Sequence, residues 1–334
     1  MTARMTRRQV SAMLLGSAVA AGLPSMRPAR AAQTGLVFVS HEKTHDIWVL
    51  KPVTLEVVKK IRTSRRPRDM HFNKARTLLY AACGDDDVID VIDLAKLEVV
   101  DQIPTSPSPE AFRINDDETR IYVSNEEDSS LSIIDLSQKI IIHDVPTGAE
   151  PEGVILSPDE KTIYVTSEVA DMVHVVDADG GFVTDNIVVG TRPRRFWLTP
   201  DGKELWVTCE LSGEAYIIDR ESLQIIEVLN FLPPGFRQVD VTPVGMLMTK
   251  DGSTAILALG RANHVAYVDV KSRKTESYVL VGSRAWNVTL SSDESILYVA
   301  NGLTDDVTVV DNVGRKPIRS VPVGRVPYAV LIDD

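Results

Sequence analysis

The sequence is poor in the residues and motifs that mark several common kinds of functional site. It has two cysteines and six histidines among 334 residues, and the histidines form no two-histidine zinc motif. Neither a CxxCH haem-attachment motif nor a Gly-x-Ser-x-Gly nucleophile elbow occurs. Beyond the first thirty residues no run of eighteen apolar residues exists, so we expect no transmembrane helix there. These absences argue against electron transfer by a haem of its own and against a serine hydrolase centre.

Positive charge is also scarce. The chain has 36 lysines and arginines against 47 aspartates and glutamates, a net charge of −11. Removing residues 1–31 would remove five arginines and no acid, which leaves −16. Nucleic acid and anionic membranes would repel such a protein. We therefore expect its partner to be a basic protein, or an anionic ligand held by a local arginine cluster.

Residues 1–31 have the composition of an export signal. Three arginines precede a short apolar stretch at 12–22, and the Ala-Arg-Ala segment at 29–31 has the form of a cleavage site. The Arg7-Arg8 pair resembles a twin-arginine signal, and an ordinary secretory signal with a chance arginine pair is the alternative. Both predict a periplasmic protein whose single mature domain spans 32–334.

The remaining chain contains a repeat of 42 residues. The segment IYVSN at 121–125 precedes LSIID at 131–135, and similar pairs of segments recur at this spacing. Each copy has four short β-branched runs separated by turn residues, which is typical of a four-stranded propeller blade. An aspartate ends the third run, and we interpret it as a turn residue rather than a catalytic group or metal ligand. It recurs at Asp93, Asp135, Asp177, Asp219, Asp269 and Asp311.

The phase of the repeat predicts how the ring closes. Counted on from residue 32, seven copies of 42 residues with eight extra residues in one copy reach residue 334, the last residue of the sequence. We therefore predict an all-β, seven-bladed propeller of four-stranded antiparallel blades. The inner strand of one blade comes from 327–332 and its other three strands from 36–61. This pairing of the two ends removes two exposed sheet edges.

The two cysteines occupy equivalent places in the repeat. Cys83 and Cys209 lie three blades apart, which in a seven-bladed ring is roughly 20 Å and far beyond the ~7 Å Cα separation that a disulfide allows. We predict two free, buried thiols.

Residues next to the inner strand are the best candidates for a functional site. A propeller has a central channel lined by the inner strands of its blades. The loops at one mouth of this channel differ between copies, while the rest of the repeat stays regular. Several of these loops carry arginines or aromatic residues, which would suit a carboxylated or phosphorylated small molecule. The alternative is that the arginines pair with glutamates of neighbouring loops. The candidates are Arg65, Arg66, Arg68, Arg192, Arg194, Arg195, Arg284, Trp286, Arg325 and Tyr328.

The eight extra residues fall in one of these loops, at 230–242. Phe231 and Phe236 are apolar for a loop, and two prolines between them stiffen it. Such a loop is expected either to form a lid or docking surface over the mouth, or to fold back onto its own blade.

Acidic residues of the same loops offer weaker candidates for a metal site. Their oxygen atoms would suit calcium, although no Asp-x-Asp-x-Asp-Gly calcium loop is present. The glutamates concerned are Glu42, Glu126, Glu168 and Glu210.

The repeat motifs resemble those of a known group of propellers. IYVSN at 121–125, LYVAN at 297–301 and the Ser-Pro-Asp-Glu turn at 157–160 are similar to the YVTN-repeat propellers. The opening segment TGLVFVSHE at 34–42, after a twin-arginine-like leader, resembles the propeller proteins associated with pyrroloquinoline-quinone (PQQ)-dependent alcohol catabolism. Members of that group are encoded near quinoprotein dehydrogenases and an ABC transporter. The resemblance makes the planar tricarboxylate PQQ a possible ligand.

These observations leave three functions open. The first, which we favour, is a periplasmic accessory protein without its own catalysis that binds a quinoprotein dehydrogenase, a cytochrome, a transporter component or a small anion. The second is a metal-assisted lactonase or lyase with its site at the channel mouth. The third is a structural cell-envelope protein, since YVTN repeats also occur in surface layers.

Overall fold

The computed structural model describes residues 33–334, which form seven four-stranded antiparallel sheets. The fold class predicted from the repeat is thereby confirmed. The predicted export signal at 1–31 lies outside the described residues. Within 33–334 there is no helix long and apolar enough to cross a membrane.

Each blade takes its strands from consecutive segments of the chain, except for the first. Blade 1 contains β1 (Leu36–His41), β2 (Asp46–Leu50) and β3 (Val57–Arg62), with β28 (Pro327–Asp333) as its inner strand. Blade 2 contains β4 (Pro67–Phe72), β5 (Leu78–Cys83), β6 (Val88–Asp93) and β7 (Glu98–Pro104). Blade 3 contains β8 (Pro109–Ile114), β9 (Arg120–Asn125), β10 (Ser130–Asp135) and β11 (Ile140–Pro146). Blade 4 contains β12 (Pro151–Leu156), β13 (Thr162–Ser167), β14 (Met172–Asp177) and β15 (Phe182–Val188).

The remaining blades follow the same order. Blade 5 contains β16 (Pro193–Leu198), β17 (Glu204–Cys209), β18 (Glu214–Asp219) and β19 (Ile225–Asn230). Blade 6 contains β20 (Met246–Met248), β21 (Thr254–Ala258), β22 (His264–Asp269) and β23 (Lys274–Leu280), and a 3-10 turn (Gln238–Asp240) precedes it. Blade 7 contains β24 (Ala285–Leu290), β25 (Ile296–Asn301), β26 (Asp306–Asp311) and β27 (Lys316–Pro322).

The joint between the two ends lies where the repeat predicts it. Strand β28 pairs with β1 in antiparallel register, with Val37 opposite Ile332 and Val39 opposite Val330. The buried Asp333 carboxylate accepts hydrogen bonds from the Thr34 backbone N–H at 2.7 Å and the Thr34 hydroxyl at 2.8 Å. This pairing completes blade 1 and closes the ring.

The repeated aspartate is a turn residue in the structure. It ends the third strand of its blade, and one of its carboxylate oxygens accepts backbone N–H groups two or three residues further on. In blade 2, Asp93 accepts from Ala95 at 2.9 Å and from Lys96 at 3.0 Å. Equivalent bonds form at Asp135, Asp177, Asp219, Asp269 and Asp311.

Apolar residues pack between neighbouring blades rather than within one sheet. Ile89 and Val91 of blade 2, for example, lie against Phe112 and Val123 of blade 3. This arrangement follows from the alternation of side chains along each strand, which gives every blade two apolar faces. Cys83 and Cys209 lie in these layers as free, fully buried thiols, as predicted. Burial raises the pKa of both thiols, which favours their neutral form at neutral pH.

Hydroxyl groups on the second strand of a blade fasten it to the inner strand of the next. The Thr208 hydroxyl donates to the Val244 carbonyl oxygen at 2.6 Å, and the Thr166 hydroxyl donates to the Arg194 carbonyl oxygen at 2.9 Å. Ser40 and Ser124 make the same bond at two further interfaces. These bonds fix the inner strands that carry the mouth residues.

We expect Thr208→Val to lower the free energy of unfolding by about 1–3 kcal/mol, because it leaves a buried carbonyl oxygen without its donor while keeping the side-chain shape. Thr54→Val, at an exposed turn of blade 1, is the matched control and should change stability by about 0.5 kcal/mol or less. Urea unfolding of both variants tests this. Equal effects would show that the hydroxyl does not fasten the blades.

Candidate functional site

A β-bulge at the start of the inner strand decides which side chains meet at the channel mouth. In blade 5, Pro193 pairs with Cys209 but Phe196 pairs with Val207, so one extra residue is inserted. The same shift occurs at Pro67, Pro109, Pro151 and Ala285. A bulge re-aims side chains that would otherwise alternate between faces. Consecutive residues such as Arg194 and Arg195 therefore both reach the mouth.

The centre of the mouth is occupied by Glu152. Its carboxylate lies 3.3 Å from the Arg194 guanidinium, 3.1 Å from that of Arg195 and 3.7 Å from that of Arg68. The Tyr328 hydroxyl donates to it at 2.8 Å. All five side chains are buried. Burial opposes ionisation of Glu152, but the charges of Arg194, Arg68 and Arg195 outweigh it and lower the pKa of this carboxyl below its ordinary value.

The contact between Tyr328 and Glu152 spans the channel. The inner strands are neighbours in the order β28, β4, β8, β12, β16, β20, β24 and back to β28. Tyr328 belongs to blade 1 and Glu152 to blade 4, three blades away. Arg195 of blade 5 also donates to the Tyr328 hydroxyl, from the other side of the ring. This mouth of the channel is therefore bridged by protein.

On the blade 2 side, arginines and glutamates alternate. Arg66 lies 2.6 Å from Glu110 and 3.2 Å from Glu126. Arg68 contacts Glu110 with one guanidinium nitrogen and lies 3.0 Å from Glu42 with another. The pairs connect three neighbouring blades.

The blade 5 side mirrors this arrangement. Arg192 lies 2.7 Å from Glu168 and 3.3 Å from Glu210. Arg194 contacts Glu168 directly, and Arg284 of blade 7 lies 3.8 Å from Glu210. In this network six arginines thus face six glutamates, so the paired charges are equal in number. The twelve residues are Arg66, Arg68, Arg192, Arg194, Arg195 and Arg284 with Glu42, Glu110, Glu126, Glu152, Glu168 and Glu210.

The pairing matches the alternative in which mouth arginines bind glutamates of neighbouring loops. The four glutamates considered for calcium are the partners of those arginines. Over residues 33–334, no group of three or more His, Cys, Asp or Glu side chains is arranged to hold a metal ion. The pairs are Glu42 with Arg68, Glu126 with Arg66, and both Glu168 and Glu210 with Arg192.

Trp286 covers the blade 7 side of the same mouth. The guanidinium groups of Arg284 and Arg194 lie 4.5 Å and 5.3 Å from the centre of its ring, and the Tyr328 ring centre lies 5.7 Å away. A Cβ at Gly302 would lie 2.2 Å from the indole Nε1, so glycine is required there for Trp286 to take this position. Cation–π contacts thus extend the network to a blade without a mouth carboxylate.

Two predicted arginines lie outside this network. Arg65 pairs with Asp86 at 2.7 Å, and Arg325 lies 3.9 Å from Asp305. Their side chains are 58 % and 74 % exposed, so they belong to the solvated rim rather than to the mouth.

The lengthened loop packs onto its own part of the ring. Phe231 is fully buried, and Phe236 packs against the same apolar cluster between blades 5 and 6. Leu232 and Val239 remain exposed. The two phenylalanines therefore lie as the fold-back alternative expects, and they do not join the arginine network.

Behind the bridged mouth lies a chamber of about 270 Å³. A pocket of about 420 Å³ at the opposite face shares Trp197, Leu247, Thr289 and Leu331 with it, so the two adjoin. The lining of this pocket includes residues of the loops between first and second strands. The channel is thus accessible from the face opposite the arginine network.

The polar wall of this chamber was not among the sequence predictions. His71 and Arg113 lie two strand positions beyond the bulge, on the inner strands of blades 2 and 3. The His71 Nε2 lies 3.1 Å from the Asp69 carboxylate and 2.6 Å from the Arg113 guanidinium. Alternation along the inner strand could have singled out these positions, because residues two apart share a face. The extra residue of the bulge shifts this alternation, so counting in steps of two from the mouth residues does not lead to His71 and Arg113.

One buried arrangement imitates a catalytic triad. The Ser167 hydroxyl and the His174 Nε2 lie 2.9 Å apart, and the Nδ1 of His174 contacts Asn186. Ser167 is fully buried, and both it and His174 bind the backbone of Gly148. Cys83 and Asp90 occupy the equivalent places in blade 2, where Asp90 binds the backbone of Ser64. The arrangement therefore holds the loop that leads to the inner strand.

Comparisons with known proteins show the fold. No protein-family model and no curated protein matches the chain. Among solved structures, it is similar to hydrazine synthase of Kuenenia stuttgartiensis, at 20 % identity over 83 % of this chain and 92 % of that one, with a TM-score of 0.75. A protein of Lactobacillus plantarum is 15 % identical over 88 % of this chain and 98 % of its own, with a TM-score of 0.76. The dihydro-heme d1 dehydrogenase NirN, in complex with DHE, is 15 % identical over 93 % of this chain and 78 % of that one, with a TM-score of 0.68.

Proposed function

We propose that the protein is an exported binding protein without its own catalysis, which takes a small molecule into its central chamber. The contact of Tyr328 with Glu152 across the ring carries this proposal. Because that contact blocks one mouth, a ligand reaches the chamber only from the opposite face. A concave site that is partly apolar with a few convergent polar groups is the usual form of a small-molecule site.

The arginine network has a different role in this proposal. Each mouth arginine already faces a carboxylate, and breaking such a buried pair would leave charges uncompensated. An anion arriving at that mouth would have to displace glutamates held by several arginines at once. The network therefore serves as the floor of the chamber, and the ligand binds behind it.

The sequence resemblance supplies the biological setting that we propose. A periplasmic propeller of this kind would serve PQQ-dependent alcohol oxidation by binding PQQ or a related small molecule. It would act beside a quinoprotein dehydrogenase, a cytochrome or a transporter component. The export signal predicted at 1–31 is consistent with that setting.

A thermal-shift panel of PQQ, calcium, a lanthanide ion and short alcohols tests the proposal on the purified protein. We expect one class to raise the melting temperature, because ligand binding to the folded state at 100 times Kd stabilises it by about 2.7 kcal/mol. Thr289→Trp, at the neck shared by the chamber and its opening, should abolish the shift.

Thr184→Trp, on the exposed outer strand of blade 4, is the control and should keep the shift. A shift that survives Thr289→Trp would place the ligand outside the channel and overturn the proposal. The proposal would also be overturned if neither this panel nor benzoate, cyclohexanecarboxylate, benzamide and phenylphosphonate bound to the protein.

A further inference from the structure

Arg113 differs from every arginine at the bridged mouth in how its guanidinium is used. One nitrogen, Nη1, donates to the Phe112 carbonyl oxygen at 2.7 Å and lies 2.6 Å from the His71 Nε2 and 3.4 Å from the Asp69 carboxylate. The other two nitrogens, Nε and Nη2, have no hydrogen-bond partner among residues 33–334. The side chain is 28 % exposed. An accessible edge of the guanidinium is therefore free.

The carboxylate nearest to Arg113 is shared among other donors. Asp69 also lies 3.1 Å from the His71 Nε2 and accepts from the Phe112 backbone N–H at 3.3 Å. The chamber lining has two arginines, Arg113 and Arg195, against this one aspartate. Because Arg195 is bound by Glu152 and Tyr328, Arg113 is the arginine left for a ligand.

The position of Arg113 suits a ligand that enters from the open face. Arg113 lines the chamber and also a groove of about 560 Å³ between blades 3 and 4 on the side of the turns between first and second strands. The rest of the chamber wall is largely apolar, with Trp197, Leu247 and Leu331 at the neck. A ligand held at Arg113 would place its remaining atoms against these side chains.

We propose that the chamber binds a small molecule with one carboxylate group and an apolar ring or chain; this rests on the binding function proposed above. The carboxylate group pairs with the Nε and Nη2 edge of Arg113. The apolar ring or chain lies against Trp197. The two free nitrogens on one edge form the fork that a carboxylate accepts in a bidentate pair. The other cation of the lining, Arg195, is already bound by Glu152 and Tyr328, so a doubly charged phosphate would find no second free guanidinium. An uncharged carbonyl oxygen could accept from the fork but would bring no charge to meet that of the guanidinium.

Calorimetric titration with benzoate and cyclohexanecarboxylate tests this, with benzamide and phenylphosphonate as comparison probes. We expect both carboxylates to bind and benzamide to bind at least roughly tenfold more weakly, because it lacks the charge that Arg113 meets. Arg113→Gln should weaken benzoate binding at least roughly tenfold. Arg113→Lys, which keeps the charge but loses the fork, should also weaken it. Trp197→Leu should weaken benzoate more than it weakens acetate.

Arg120→Gln is the matched control, since Arg120 lies in the same blade and pairs with Asp179 at 3.0 Å outside the channel. It should bind benzoate like the unaltered protein. Equal benzoate binding by Arg113→Gln, or equal affinity for benzamide, would overturn the ligand class. If another compound then binds in a manner sensitive to Thr289→Trp, the binding function stands and only this inference fails. If no probe or panel compound binds, both fail.

Discussion

Replacing Glu152 with alanine is expected to lower the free energy of unfolding by about 3–5 kcal/mol, the usual cost of removing one member of a buried ion pair. Glu152 is 2 % exposed and has Arg68, Arg194 and Arg195 around its carboxylate. Without it, three guanidinium groups lose a common counter-charge in a buried site. The Tyr328 hydroxyl also loses its acceptor, and the bridge across the mouth is lost.

Chemical denaturation of the variant measures this loss. Glu127→Ala is the control, because Glu127 lies in an exposed loop at the same face and should cost about 0.5 kcal/mol or less. Glu152→Gln keeps the shape of the side chain and an acceptor for Tyr328, so its cost should fall between the two. Similar unfolding midpoints for Glu152→Ala and Glu127→Ala would mean that the network adds no stability.

The same carboxyl gives a pH dependence of defined sign. The pKa of Glu152 is lower in the folded protein than the ordinary value of 4.5, so the unfolded chain binds its proton more readily. Its contribution to stability is therefore fully present above about pH 4.5 and is lost as the pH falls towards the lowered pKa. Between pH 5 and pH 3, Glu152→Gln should lose stability less steeply than the unaltered protein.

Deleting residues 327–334 is expected to abolish cooperative folding. Strand β28 is the inner strand of blade 1, and it packs beside the inner strands β4 and β24 on either side. Its loss would expose the edge of β1 and the apolar faces of two neighbouring blades, and would remove Tyr328 from the mouth. The ring would then have six complete blades and a gap.

Removal of Asp334 alone is the control, since this residue follows β28 and takes no part in its pairing with β1. We expect it to melt cooperatively near the temperature of the full chain. Circular dichroism during heating distinguishes the two truncations. A cooperative, near-native transition after deletion of 327–334 would contradict a ring closed by β28.

The repeat made the fold predictable because each copy buries the same face in the same way. A period of 42 residues with four β-branched runs determines the blade, and the count of copies determines the number of blades. The phase also predicted the joint between 327–332 and the N-terminal strands, which β28 and β1 confirm. The turn role of residues such as Asp93 followed from its place at the end of a strand.

The mouth was predictable in position but not in chemistry. The loops that differ between copies do bring Arg68, Arg194, Arg195 and Tyr328 together, as their phase suggests. Whether those arginines face a ligand or Glu152 depends on distances across the ring, which no spacing along the chain contains. The chamber behind them was missed because the bulge at the start of β8 breaks the simple alternation that would point to Arg113.

The sequence by itself determined the seven-bladed ring, its closing strand and the free thiols, because all three depend on periodic burial and on position within the repeat. Only the tertiary structure decided that the mouth arginines pair with glutamates, that the mouth is bridged, and that the chamber is accessible from the opposite face. The reason is physical. Burial of apolar residues repeats in every blade. The ion pairs, in contrast, join residues up to two blades apart and the Tyr328 hydrogen bonds join residues three blades apart, so both form only when the ring has closed.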